Sequence, residues 1–226
     1  GLVYFMYDRD REPTVAYLKQ RFAKRPELAE ANIAAMNAGH AFGETAEMPA
    51  EIGAYVVPSA KIAPGLYRTV TGTEALAWGL VAGASLCNLE MLFAGYPITP
   101  ASALLHHLAR LRDYGVTTFQ AEDEIAAICA AIGASYAGAL GVTSSSGPGI
   151  ALKGEALGLA IATELPLVVV NSQRGGPSTG LPTKTEQSDL FQAVWGRNGD
   201  APMAVVATRS PSDCFEVAIL ATKLAV

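Results

Sequence analysis

The chain has 226 residues, half of them hydrophobic, enough to bury one large core with a smaller segment attached. Its formal charge of -5 argues against nucleic acid as the main partner, because that binding needs a basic footprint. Cys87, Cys129 and Cys214 are its three cysteines. They lie far apart in apolar helix-like patterns and form no CxxC pair, so they read as buried small hydrophobes, with neither a zinc site nor a disulfide framework. No signal-peptide pattern and no charge-free run of membrane-spanning length occurs, and a cytoplasmic location is expected.

Residues 1–62 differ in texture from the rest. Pro13 and Pro26 sit where helices can begin, since a proline in the first helical turn forfeits no hydrogen bond. The pattern predicts helices over 12–22 and 27–41. Arg9, Arg11, Lys19, Arg21, Lys24 and Arg25 form a basic cluster, either a solvated face or a contact for an acidic partner or anion. The run 39–61 has little periodicity and reads as an extended arm lying on another domain. The chain opens on Gly1 without an initiator methionine and ends inside an apolar helix-like pattern, as a piece of something longer is expected to do.

From about Gly65 the pattern becomes regular. Helices are predicted over 73–87, 100–113, 122–137, 150–163, 187–195 and 212–225. Strands are predicted over 90–94, 116–119, 140–143, 167–171 and 203–207. This alternation is the signature of βαβ units around a parallel sheet covered by helices, over residues 63–226. The strands lack strict in/out alternation, as expected where both faces are covered. Small residues crowd the helix of AAICAAIGASYAGA, which suits close packing on the sheet or on a partner's helix.

Four polar islands interrupt this apolar scaffold: GYPITPAS at 95–102, FQAEDE at 119–124, TSSSGPG at 143–149 and NSQRGGPSTG at 171–180. Each follows a strand-like run, which places them together at the carboxyl edge of the sheet, where such proteins bind ligands. No Walker or GxGxxG motif accompanies them. TSSSGPG is either an anion-holding loop or an ordinary helix cap. Glu122 lies at a strand-to-helix junction, where it either complements the helix dipole or faces the crevice and shares a proton with a ring nitrogen. Arg174 either fixes its loop by a salt bridge or binds a planar carboxylate through two parallel hydrogen bonds. GYPITPAS sets Thr99 as a hydroxyl donor between two stiffening prolines.

The four motifs, in this order, resemble the α subunit of the 2-oxoacid:ferredoxin oxidoreductases, especially the 2-oxoglutarate type, over residues 67–226. The opening segment resembles the tail of a γ domain that some members carry fused ahead of α. The resemblance implies a pyrimidine-side domain of a thiamine diphosphate enzyme. It assigns Glu122 to the cofactor's aminopyrimidine nitrogen, where it promotes ylide formation, Arg174 to the substrate 1-carboxylate and Thr99 to the substrate. Pro97, Ile98, Ser145, Ser146 and Gly147 fall on the cofactor side; Ser178 and Thr179 fall on the substrate side. A β subunit is expected to hold the diphosphate, Mg2+ and a [4Fe–4S] cluster, for which this chain lacks clustered thiolates. The implied reaction is the coenzyme A-dependent oxidative decarboxylation of 2-oxoglutarate to succinyl-CoA, with electrons passed to ferredoxin. In the family it often runs in reverse for carbon fixation. Two alternatives stay open: the same chemistry on pyruvate or a branched-chain 2-oxoacid, and a non-catalytic assembly subunit.

Overall fold

A computed structural model describes residues 1–46 and 57–226, and divides the chain into two compact units, Gly1–Leu66 and Tyr67–Val226. In the first unit, α1 (Leu2–Met6) and α2 (Glu12–Arg21) pack on α3 (Pro26–Thr45). Pro13 and Pro26 both lie in first turns, where the sequence puts them. α3 runs past Gly39, where the sequence reading started an extended arm. The reason is steric. A side chain at Gly39 would press on the backbone of Gly1 and Leu2, and one at Gly43 would strike the Phe5 ring. These glycines let α1 cross α3 closely and so mark a helix crossing, not the start of an arm. Residues 47–56 of the expected arm lie outside the described residues, and 57–66 form neither helix nor strand.

The second unit is built on a four-stranded, all-parallel sheet of order β2-β1-β3-β4. Its strands are β1 (Met91–Gly95), β2 (Val116–Gln120), β3 (Leu140–Ser145) and β4 (Leu167–Asn171). The four strand predictions over 90–94, 116–119, 140–143 and 167–171 thus correspond to real strands. On one face, Met91, Phe93, Leu140 and Val142 meet α4 (Gly72–Leu86), α5 (Ser102–Leu108) and α10 (Pro211–Ala225) through Leu80, Leu104, Leu108 and Ala218. On the other, Ile128 and Ile132 of α6 (Glu124–Tyr136) join Ala156, Leu157 and Ala160 of α8 (Gly154–Ala162) over Leu167 and Val169. β3 is buried along its whole length, as a central parallel strand covered on both faces must be. α4 and α10 approach closely because Gly79 and Gly83 lie under Phe215, Ala218 and Thr222.

Several predicted elements differ. The run 203–207 is not a strand: none of the four strands pairs with it, and Met203, Val205 and Val206 are exposed. An apolar run becomes a strand only where a ladder partner is available. The helix expected over 100–113 is α5 followed by a 3-10 turn at Ala109–Tyr114, with non-helical Leu111 inside and left-handed Gly115 closing it. The helix expected over 150–163 is two helices, α7 (Gly147–Leu152) and α8, meeting at Lys153. α9 (Leu190–Trp195) is shorter than expected. The cysteines are not core residues, since Cys129 is exposed and Cys87 and Cys214 are half-buried.

Candidate active site

Because every strand is parallel, the residues following β1, β2, β3 and β4 emerge at one edge, and these are the four polar islands. The chain leaves β1 toward β2 and then returns to β3 on the other side of β1. That reversal opens a crevice between the carboxyl ends of β1 and β3. Tyr96, just past β1, and Ser145, ending β3, meet across it with their hydroxyl oxygens 2.7 Å apart. Gly149 follows from this contact. A side chain there would collide with Ser145 Oγ and the Tyr96 hydroxyl and would come within 3.0 Å of Glu124 Cγ. Burial, above all, and the nearby Glu124 carboxylate push the Tyr96 hydroxyl well above the ordinary tyrosine range, while its Ser145 hydrogen bond opposes the shift.

The predicted site residues divide into buried and open groups. Ser145 and Ser146 have no exposed surface. Ser145 is engaged with Tyr96, whereas Ser146 Oγ is buried without a hydrogen-bond partner among the described residues. Gly147 opens α7 with the Asp189 carboxylate packed beside it. Arg174 is buried, and its Nη1 donates to the backbone carbonyl of Thr99 at 2.7 Å, so the structure brings these two predicted residues together. Its Nε is also buried and has no hydrogen-bond partner among the described residues. No ion pair among the described residues involves Arg174, so the salt-bridge reading of this loop has no geometry behind it.

Glu122 is exposed on the turn between β2 and α6. The turn is anchored on both sides: Ala121 N donates to Gly95 O at 2.7 Å, and Asp123, the cap of α6, accepts from Ala126 N at 2.8 Å. Pro97 and Thr99 are exposed and Ile98 is half-buried against Tyr96, Ala121 and Ala127. Ser178 and Thr179 are exposed in a loop whose neck is closed by hydrogen bonds between Gly175 and Leu181 and between Gly175 and Lys184. Ser178 adopts a left-handed backbone there.

The sequence reading missed Lys153 and Asp189. Asp189 accepts from Asn171 Nδ2 at 2.9 Å, and its own N–H donates to Gln173 Oε1 at 2.9 Å, which pins the long loop back onto the end of β4. Lys153 has no exposed surface; its ammonium donates to the Glu124 carbonyl at 2.8 Å and to Thr143 Oγ1 at 3.3 Å. It also sits 5.3 Å from the centre of the Tyr96 ring. Burial lowers its pKa to about 8, against the opposing pull of Glu124, Cys129 and Asp123. A single lysine inside the apolar run GIALKGEALGLA, on the side that faces the sheet, was the available signal for it.

A helix-covered parallel sheet with a switch point between β1 and β3, hydroxyl loops, a buried guanidinium and an exposed carboxylate along one edge is the arrangement in which α/β domains bind ligands. Among the described residues no helix is long and apolar enough to cross a membrane. The chain belongs to the pyruvate flavodoxin/ferredoxin oxidoreductase family, thiamine diphosphate-binding, whose model matches residues 83–226. It is 56% identical over its full length to the 2-oxoglutarate oxidoreductase subunit KorA of Mycobacterium tuberculosis, covering 34% of that protein. It is 45% identical, over 69% of its length, to the 2-oxoglutarate synthase subunit KorA of Archaeoglobus fulgidus, covering 44% of it. Among solved structures it is similar to a 2-oxoglutarate:ferredoxin oxidoreductase from Magnetococcus marinus with 2-oxoglutarate, coenzyme A and succinyl-CoA bound. That match has a TM-score of 0.76 and 36% identity, and covers 99% of this chain and 38% of that one. The chain thus spans between about a third and under half of the length of these relatives.

Proposed function

We propose that residues 63–226 form the pyrimidine-side wall of a thiamine diphosphate site in a 2-oxoglutarate:ferredoxin oxidoreductase, and that residues 1–62 are the tail of a γ-like domain with its linker. The observation that carries this reading is the guanidinium of Arg174. One nitrogen is fixed to Thr99 O while buried Nε stays without a partner, which is how a fork held ready for a carboxylate is expected to look. The names borne by the relatives point to the same substrate.

The donors at this edge suit the cofactor. Ser146 Oγ, just past β3, is a buried hydroxyl with no hydrogen-bond partner among the described residues, and Glu122, just past β2, is an exposed carboxylate on the same edge of the sheet. When bound, thiamine diphosphate supplies the electron sink that lets a 2-oxoacid lose carbon dioxide. Glu122 hydrogen-bonds its aminopyrimidine nitrogen and holds or returns a proton there. Pro97, Ile98, Ser145, Ser146 and Gly147 line the cofactor side. Arg174 binds the 1-carboxylate, and Thr99, Ser178 and Thr179 contact the rest of the substrate and help to exclude water. A β subunit holds the diphosphate with Mg2+ and carries the [4Fe–4S] cluster. Coenzyme A takes the acyl group and ferredoxin the electrons, in the cytoplasm.

The test is turnover of the assembled enzyme, followed by dye or ferredoxin reduction with several 2-oxoacids. Glu122→Gln and Arg174→Ala are each expected to lower kcat/KM by about a hundredfold or more. Near-normal turnover in both variants overturns the catalytic reading and leaves the assembly role. Faster turnover of pyruvate or a branched-chain 2-oxoacid than of 2-oxoglutarate overturns the substrate assignment alone.

A further inference from the structure

Among the described residues Lys153 is the charged side chain with no exposed surface at all. An ammonium removed from water is costly unless it is paired, and a similar volume of methionine or leucine packs a core at no such cost. Lys153 forms no ion pair among the described residues. Its amine is spent on a backbone carbonyl, a hydroxyl and the face of a ring: Glu124 O, Thr143 Oγ1 and Tyr96. Those three acceptors belong to three different polar islands, FQAEDE, TSSSGPG and GYPITPAS. Arg174 binds the fourth island to the first through Thr99 O. Two buried cations therefore hold the whole carboxyl edge in one arrangement.

We propose that Lys153 is a positioning residue for the acidic turn, holding through the Glu124 carbonyl the short segment that carries Glu122. The turn has three anchors on either side of Glu122: the Ala121 amide on Gly95 O, the Asp123 cap on Ala126 N, and Lys153 on Glu124 O. The first two are made within or next to the turn's own strand and helix. Lys153 alone ties it to the junction of α7 and α8, so it fixes the turn relative to β3 and its serines. Lys153 stands where α7 gives way to α8. Its backbone N–H bonds to Gly149 O and Ile150 O while α8 starts afresh at Gly154. The proposal rests on the reading of Glu122 given above.

Two measurements on the assembled enzyme test it. In Lys153→Met, the amides of residues 122–127 are expected to exchange with deuterium about tenfold faster, while those of β1 and β3 keep their rates. Unchanged exchange at 122–127 overturns the proposal. Turnover is then compared in a double-mutant cycle: Lys153→Met is expected to cost about tenfold alone and under about twofold in the Glu122→Gln background. Equal losses in both backgrounds overturn the route through Glu122. If Glu122→Gln by itself keeps full turnover, the assignment of Glu122 fails, and the exchange experiment still decides whether Lys153 holds the turn. Lys153→Gln, shorter and neutral, is read in the same two ways if Lys153→Met does not fold.

Discussion

A residue that positions the site at a cost in stability leaves a signature in the pH dependence of unfolding, and Lys153 is expected to show it. Burial lowers its pKa from 10.5 to about 8 in the folded chain. Below about 8 the lysine is charged in both states, and the folded state carries the cost of that buried charge. The difference between 10.5 and about 8 corresponds to about 3 kcal/mol at 1.36 kcal/mol per tenfold in proton affinity. Between about 8 and 10.5 the unfolded chain binds the proton that the folded chain has lost, so stability rises with pH through this window. Lys153→Met removes the titration. It also takes this donor from the Glu124 carbonyl and from Thr143 Oγ1, a loss of about 1–2 kcal/mol in all. At pH 7 the variant is therefore expected to be as stable as the wild type or more so, by about 1–2 kcal/mol.

Thermal melts of both proteins at intervals from pH 7 to 10.5 make the comparison. Tyr96, Glu124, Asp123 and Cys129 surround the ammonium and are present in both proteins, so the comparison is made on the difference between variant and wild type. The gap between variant and wild type is expected to move by about 3 kcal/mol in favour of the wild type across the window, or about 6–12 °C in Tm for a domain of this size. A gap that stays constant with pH refutes the buried-charge reasoning. So does a large loss of stability in Lys153→Met at pH 7, because the lysine would then be contributing to the fold instead of costing it.

Two further expectations follow from close approaches. Gly149→Ala places a methyl group against Ser145 Oγ and the Tyr96 hydroxyl and is expected to destabilise by about 1–3 kcal/mol, read as a lower Tm; an unchanged Tm shows the contact is loose. Gly79→Ala pushes into the Phe215 carbonyl and the Ala218 methyl of α10 and is expected to cost a similar amount, about 1–3 kcal/mol. Gly133→Ala on α6 meets nothing within 4 Å and is expected to stabilise by about 0.5–1 kcal/mol through helix propensity. If the two helix glycines respond alike, packing is not what separates them.

The strands were legible because buried parallel strands are short apolar runs, and Leu167–Asn171 has the bounds its pattern predicts. The islands were legible as breaks in that pattern, and parallel topology alone brings them to one edge. What escaped depends on contacts between distant segments. The run 203–207 has a strand's composition but no ladder partner among the described residues, which no local pattern reveals. The run from Gly39 reads as an arm because the role of Gly39, admitting α1 against α3, exists only once the helices cross. Lys153 was overlooked for a related reason. A polar residue in an amphipathic pattern is ordinarily assigned to solvent, and only the fold discloses that three separated acceptors, Glu124 O, Thr143 Oγ1 and the Tyr96 ring, surround it.

The hydroxyls of β3 and its loop sharpen the view of this edge. Thr143, Ser144, Ser145 and Ser146 are all buried, a run of polar side chains that a core tolerates only where each finds a partner. Lys153 supplies one for Thr143 and Tyr96 one for Ser145. Ser146 Oγ has none, and neither do Arg174 Nε and Asn171 Oδ1. These three orphaned atoms belong to the last island residues to leave β3 and to the end of β4, on the ligand edge of the sheet. The hydroxyls of Thr143 and Ser145 are thus committed to the scaffold, and that of Ser146 is left open. A ligand that reached Ser145 would have to displace the Tyr96 hydroxyl, whereas one that reached Ser146 or Arg174 would complete hydrogen bonding that the protein leaves open. Of the serines in TSSSGPG, Ser146 is therefore the stronger candidate for a ligand contact, and Ser145 the stronger candidate for holding Tyr96 in place.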